Sequence, residues 1–253
     1  MKSKMIRGLS VMALAAAFGV SALASTATTA YDAGIRTAVT QKLQSKSGLR
    51  GVQSSVEDGI VTLTGTVASY PDKLEAARKA KVDHVAGVRN LVEVSAPAVS
   101  DADLEAKVAK SLAYDNPYFD SVFNVLNVGV QNGVVTVSGE VRTPSDKDSA
   151  LSLVAHTKGV RDVIDQVKVA PLSNFDDELR MRVARAIYRD PGLTRYAMDP
   201  QAPIRILVDN GRVGLYGVVD SQMDSTMAFV RASGAFGAFS VENHLQVAGK
   251  KTS

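Results

Sequence analysis

The chain has 253 residues, no cysteine, no tryptophan, 45% apolar side chains and a formal net charge of +3. Without cysteine there is no thiolate chemistry, no disulfide framework and no acylation point for a lipid anchor. The positive excess belongs to Lys2, Lys4 and Arg7; from residue 25 onward basic and acidic side chains are equal in number, which argues against nucleic acid as a partner.

Residues 1–24 have the form of an export signal. Lys2, Lys4 and Arg7 supply a positive start, Leu9 to Val20 is an uncharged, mostly apolar run too short to span a bilayer comfortably, and Ala22-Leu23-Ala24 is a small-x-small cleavage pattern. A mature chain starting near Ser25 is expected to be exported as a soluble protein.

The rest of the chain repeats one paragraph three times. Asp58-Gly59, Asn132-Gly133 and Asn210-Gly211 each precede an alternating apolar run and a second glycine, at Gly65, Gly139 and Gly217. The same interval separates Gly133 from Gly211, Gly139 from Gly217 and Gly159 from Gly237, so the register is kept. The expected domains are 25–97, 98–171 and 172–248, with 249–253 a frayed tail. Short uncharged linkers broken by Pro97 and Pro171 separate them.

Within each copy the order is helix, strand, strand, helix, strand. The first helix carries an apolar i, i+4, i+8 stripe: Ile35, Val39, Leu43; Leu104, Val108, Leu112; Leu179, Val183, Ile187. Asp32, Asp101 and Asp176 stand three residues before each stripe, where an acid is expected to meet the helix's own unpaired N–H groups and the positive end of its dipole. The Asn-Gly or Asp-Gly pair tolerates the positive φ values of a tight antiparallel hairpin. The alternation Val61, Leu63, Val67 and its counterparts predicts a sheet with one covered face, and the second glycine marks a bulge or a close backbone approach. A second helix is expected over 72–85, 146–157 and 222–233, ended by Gly87 and Gly159 in the first two copies and by Gly234 and Gly237 in the third. Last strands are expected at 91–94, 163–169 and 241–247. The fold class is therefore α+β: three tandem α-β-β-α-β units, each a three-stranded sheet covered on one face by two helices. The stretch between first helix and first strand lengthens from copy to copy, taking in Asp115-Asn116-Pro117-Tyr118-Phe119 and then 190–200. Added loop length is where a surface is usually elaborated.

The hairpin Asp58-Gly59-Ile60-Val61-Thr62-Leu63-Thr64-Gly65 with Gly87-Val88, and Asn132-Gly133-Val134-Val135-Thr136-Val137-Ser138-Gly139 with Gly159-Val160, resemble the BON domain. The third copy departs at Gly214 and Ala238 but keeps the spacing. The resemblance covers nearly all of the chain after the signal. It implies a non-enzymatic module of the bacterial periplasm, similar to osmotic-stress members built of little but such repeats and linked to anionic phospholipid surfaces, envelope integrity or protein quality control. The missing cysteine separates this chain from the lipoprotein members.

Residue chemistry offers no catalytic constellation. There is no Gly-x-Ser-x-Gly, His-Glu-x-x-His or P-loop pattern, and Gly211 to Gly217 lies on a hairpin instead of opening a helix. Of His84, His156 and His244, the first two stand three residues before Gly87 and Gly159 and read as a cation or donor near a helix C-terminus in separate repeats, not as one metal site. No cofactor, metal or small-molecule substrate is expected.

Surfaces offer more. Arg78, Lys79 and Lys81 cluster on the second helix of repeat one; Arg182, Arg185 and Arg189 line the first helix of repeat three, with Glu178 four residues before Arg182. Tyr118, Phe119, Phe123, Tyr196, Phe236 and Phe239 gather in loops and in the last helix-to-strand turn, either covering the ends of small domains or exposed for contact. The expected function is multivalent contact with an anionic phospholipid surface; the alternative is a chaperone-like or scaffold role toward exported envelope proteins.

Overall fold

The computed structural model describes residues 20–97, 99–114, 122–198 and 203–249. Residues 1–19 of the expected export signal (1–24), Tyr118, Phe119 and most of the tail lie outside the described residues. The elements follow the expected order. Repeat one holds α1 (Val20–Gln44), a 3-10 turn (Ser47–Leu49), β1 (Val52–Glu57), β2 (Ile60–Val67), α2 (Tyr70–Ala80), β3 (Gly87–Asn90) and β4 (Glu93–Val94). Repeat two holds α3 (Asp101–Tyr114), β5 (Val125–Gln131), β6 (Val134–Val141), α4 (Pro144–His156) and β7 (Asp162–Val169). Repeat three holds α5 (Asn174–Tyr188), α6 (Arg195–Met198), β8 (Arg205–Asp209), β9 (Arg212–Val219), α7 (Gln222–Ser233) and β10 (Ser240–Val247). The chain divides into two compact units, one of residues 1–65 and 74–92, the other of residues 66–73 and 93–253, so repeats two and three fall in the same unit.

Each repeat pairs its hairpin strands antiparallel, and the last strand returns parallel to the second hairpin strand, which is therefore central: β1-β2-β3, β5-β6-β7 and β8-β9-β10. The second helix of each copy is the crossover that such a parallel return requires. Alternation decides the buried face. Val61, Leu63 and Val67, Val135, Val137 and Val141, and Val213, Leu215 and Val219 are all buried, as are the first-helix stripes except Leu112, which is half-buried. Each such Val or Leu contributes on the order of 1.5–3 kcal/mol by leaving water.

The second glycine has a specific steric origin. Gly65, Gly139 and Gly217 all have positive φ, and a Cβ there would come 2.1 Å from Gly51 O, 2.1 Å from Val125 O and 2.6 Å from Pro203 O respectively. Only a residue without a side chain lets the two backbones of the hairpin approach so closely.

Three expectations are corrected. First, Asp32, Asp101 and Asp176 do not cap their own helices. Their carboxylates accept two backbone N–H groups from the hairpin turn: Asp58 and Gly59 (both 2.9 Å), Asn132 and Gly133 (2.7 and 2.9 Å), Asn210 and Gly211 (3.1 and 2.8 Å). Both turn residues in each copy have positive φ, as a type I′ turn requires, and such a turn leaves adjacent N–H groups pointing at one acceptor. Capping falls instead to Ser100 and Ser173, whose hydroxyls accept from Asp103 N and Asp176 N, and to a Ser or Thr with Asp three residues on at the second helices, Ser69 and Asp72, Thr143 and Asp146, Ser221 and Asp224.

Second, α2 ends at Ala80 and not near residue 85, and Gly87 opens β3. The residue in the left-handed conformation is His84 (φ 69°), two positions before Ala86, whose N–H donates to Gly59 O. Gly159 and Gly237 hold the same place two positions before Arg161 and Phe239, which donate to Gly133 O and Gly211 O. His84 is thus the counterpart of Gly159, and the correspondence with His156 does not hold. Third, the last strand of repeat one spans 87–90 and 93–94 rather than 91–94. Val92 N turns aside to Asn90 Oδ1 at 3.2 Å, which interrupts the ladder.

Repeats two and three share apolar packing. Val122 and Phe123, just before β5, are buried in the same cluster as Leu179, Ile187, Ile204 and Ile206 of repeat three. Arg205 Nη1 donates to Asn124 O at 2.9 Å, and Arg142 pairs with Asp177 at 3.3 Å. Beside these contacts Glu140, on the uncovered side of β6, has Oε1 buried without a hydrogen-bond partner among the described residues; burial, together with the nearby Asp209 charge, raises its pKa against the opposing pull of Arg180 and Lys168.

Candidate functional site

The hairpin clamp builds one end of each repeat, where the turn, the clamp aspartate of the first helix and the loop into the last strand converge; Asp101 and Asp176 stand in the first turn of α3 and α5, whereas Asp32 lies well inside α1. In repeat three this turn pole is aromatic. Asp176 holds the Asn210-Gly211 turn, and Phe239 N donates to Gly211 O at 2.8 Å, which locks the loop after α7 against the turn. A Cβ on Gly237 would lie 3.3 Å from Phe175 Cζ and 3.2 Å from Arg182 Nη2, and one on Gly211 would lie 3.5 Å from both Phe175 Cε1 and Phe239 Cβ. Phe175 therefore rests on two glycines between Arg182 and Phe239.

The outer side of this pole faces solvent. Phe236 is 87% and Phe239 83% exposed, Phe175 is 52% exposed, and Leu172, three residues before it, is 93% exposed. Beneath Phe236, Arg182 Nε donates to the Phe236 carbonyl at 2.9 Å and Nη1 reaches Glu178 at 3.2 Å. Exposed aromatic rings held on a braced backbone with a guanidinium at their base are suited to a surface that is apolar inside and anionic outside.

The other candidate residues are distributed differently. Tyr196 is not a surface residue: it is buried, its hydroxyl donates to Asp224 Oδ2 at 3.0 Å and accepts from Asp220 N at 2.8 Å, and burial raises its pKa. With Leu193 it closes the core of repeat three, so the described part of that loop, residues 190–198, serves packing. Phe123 is likewise buried. Arg78 makes a bidentate pair with Glu75 at 2.6 and 2.7 Å and holds that carboxyl below its ordinary range, and Lys79 lies 4.0 Å from the same group. Lys81 is exposed. Arg185 Nε donates to Met181 O, and Arg189 is the exposed C-cap of α5. Phe175 and Leu172 were missed in the sequence because a Phe beside a helix-start Asp reads as core. The recurrence of that position as Tyr31, Ser100 and Phe175, one residue before each clamp aspartate, was the available signal.

Among the described residues no group of three or more His, Asp or Glu side chains could hold a metal ion, and no helix is long and apolar enough to cross a membrane. Three small α+β repeats, with their recurring residues committed to turns and cores, define a tandem-repeat architecture. The BON domain model matches residues 31–96, 100–171 and 175–249. The chain belongs to the BON-domain family, with three copies in tandem.

No curated protein matches the chain. Among solved structures it is similar to the C-terminal domain of CdsD, the structural protein of the type III secretion system of Chlamydia trachomatis, at 15% identity with a TM-score of 0.25, covering 83% of this chain and 96% of that one. It is also similar to the PrgH periplasmic domain, at 12% identity with a TM-score of 0.22, covering 82% and 98%.

Proposed function

We propose that this chain is a non-catalytic, stress-linked module of the periplasmic envelope that contacts anionic phospholipid surfaces through the aromatic pole of repeat three. The observation that carries the reading is the pair Phe236 and Phe239, almost fully exposed on one braced turn with Arg182 beneath it. Phenylalanine at the edge of a bilayer gains by burial in the headgroup boundary while a nearby arginine meets phosphate. Balanced charge elsewhere keeps the contact weak and local, so affinity would come from several weak contacts acting together. Family membership and the form of residues 1–24 support an envelope location.

Co-sedimentation with phosphatidylcholine vesicles, with and without phosphatidylglycerol, tests it. The expected result is binding that needs the anionic lipid at low salt and is largely lost in Phe236→Ala/Phe239→Ala, whose melting temperature stays that of the parent because neither ring is buried. Equal sedimentation of parent and double variant overturns the reading. If the double variant instead abolishes a salt-independent suppression of client aggregation, the chaperone-like role toward exported proteins takes its place.

A further inference from the structure

The first helix and the end of the second helix enclose a groove in each repeat, and its chemistry differs in all three. Counting from the clamp aspartates, Ala38, Lys107 and Arg182 are equivalent on the first helices; counting from the left-handed His84, Gly159 and Gly237, so are Asp83, Lys158 and Phe236. In repeat three the groove is bridged, because Arg182 reaches across to Phe236 O and is also engaged by Glu178. Repeat one sets a small Ala38 against Asp83, with Tyr31 and His84 in edge contact at 5.2 Å between ring centres.

Repeat two is different. A groove of about 810 Å³ lies between α3 and the end of α4, lined by Lys107, Lys110, Ser111, His156, Thr157 and Lys158 together with Leu153, and no carboxylate is among its lining residues. Lys107 and Lys158 have neither an ion-pair nor a hydrogen-bond partner among the described residues. Asp103, which could have paired with Lys107 one turn on, instead accepts from the Ser100 hydroxyl at 2.7 Å. His156 Nδ1 lies 2.8 Å from Ser152 O; a carbonyl can only accept, so Nδ1 carries a proton and Nε2 is the ring nitrogen left over.

Helix dipoles explain only part of this. Lys158 suits the negative end of α4, but Lys107 and Lys110 sit in the middle of α3, where the dipole offers nothing. Lys107 and Lys158, facing one hollow whose lining holds no carboxylate, leave positive charge there for an anion to meet. We propose that this groove binds a phosphate group, with Lys107 and Lys158 as its principal contacts, Lys110 adding charge and the Ser111 hydroxyl a hydrogen bond. Leu153 adds an apolar wall beside the charged ones, so the class of ligand proposed is a phosphate ester, with the rest of the molecule lying over Leu153. The site uses none of the residues of the repeat-three pole.

Titration calorimetry of the whole protein with inorganic phosphate and with glycerol 3-phosphate, alongside sedimentation with phosphatidylcholine vesicles containing phosphatidic acid, tests it. Binding of glycerol 3-phosphate weakened at least about tenfold by Lys107→Glu/Lys158→Glu and untouched by Phe236→Ala/Phe239→Ala supports a free phosphate ester, since losing even one charge-assisted hydrogen bond is worth that factor. Vesicle binding lost in the lysine variant, with no binding of the free esters, supports a lipid headgroup as the source. The milder Lys107→Ala/Lys158→Ala must show the same direction with an unchanged melting temperature, because neither lysine has a partner to lose. Equal affinity of parent and lysine variants for every probe, or no binding at all, overturns the proposal. Vesicle binding lost only in the phenylalanine variant overturns the groove and leaves the aromatic pole standing.

Discussion

Repeats two and three are built on the same backbone device and put it to different ends. In both, an aspartate at the start of the first helix clamps a type I′ turn, and a glycine farther along the strand lets the hairpin close. Around that scaffold, positions equivalent to Phe175, Phe236 and Phe239 carry Ser100, Lys158 and Arg161. One pole is aromatic and the other basic and polar, with no change of fold. The difference teaches that in such a repeat the recurring residues hold the chain in place, whereas the residues that vary between copies set the surface chemistry of each pole.

The comparison also has a structural limit, since repeat three completes its core with Val122 and Phe123 from the segment just before β5 of repeat two. Phe123→Ala should therefore be the most damaging substitution, costing about 3–5 kcal/mol by leaving a large cavity. Chemical denaturation followed by hydrogen exchange should show protection lost in α5, β8 and β9 as well as in β5. Loss confined to repeat two would separate the two repeats after all.

Next in size is the hairpin glycine. Gly139→Ala is expected to cost about 3 kcal/mol, because a positive φ and a backbone oxygen at 2.1 Å both oppose the new Cβ; Gly217→Ala, facing Pro203 O at 2.6 Å, should cost less. A reversed order in urea midpoints would show that the two hairpins do not close in the same way. The clamp itself can be compared directly. Asp176 is buried and Asp101 is partly exposed, so Asp176→Ala should cost about 2–3 kcal/mol and Asp101→Ala about 1 kcal/mol, measured by thermal melting.

Glu140 gives a smaller effect of opposite sign. Its folded pKa is raised above the unfolded value, so ionisation above the folded pKa costs stability, and that cost disappears once the pH falls below the unfolded value. Glu140→Gln, neutral throughout, should raise the melting temperature at neutral pH by a margin that shrinks to nothing on acidification. A margin that grows on acidification would mean that Arg180 and Lys168 dominate the site.

Much of this architecture could be read from sequence because its signals are local. Alternating residues on a strand and every fourth residue on a helix report a buried face over a few neighbours, and Asn-Gly or Asp-Gly reports its own turn. What failed were inferences about which distant groups meet. Asp32, Asp101 and Asp176 looked like caps because any acid at a helix start suits the local dipole, yet their acceptors are filled by a turn 26 or more residues away. His84 was set against His156 because Gly87 and Gly159 look alike, whereas a non-glycine residue had taken the left-handed position and shifted the true alignment.

The amino-acid sequence alone determined the number of repeats, the order of their elements, the buried face of each strand and the glycines that the hairpins require, since each depends on spacing along a few consecutive residues. Only the tertiary structure decided that Tyr196 and Phe123 are core while Phe236 and Phe239 are surface, that the clamp aspartates serve the hairpins, and that three lysines of repeat two share one hollow. An aromatic ring has the same hydrophobicity wherever it stands; whether it meets a partner or water depends on segments brought together by folding, and no local pattern encodes that.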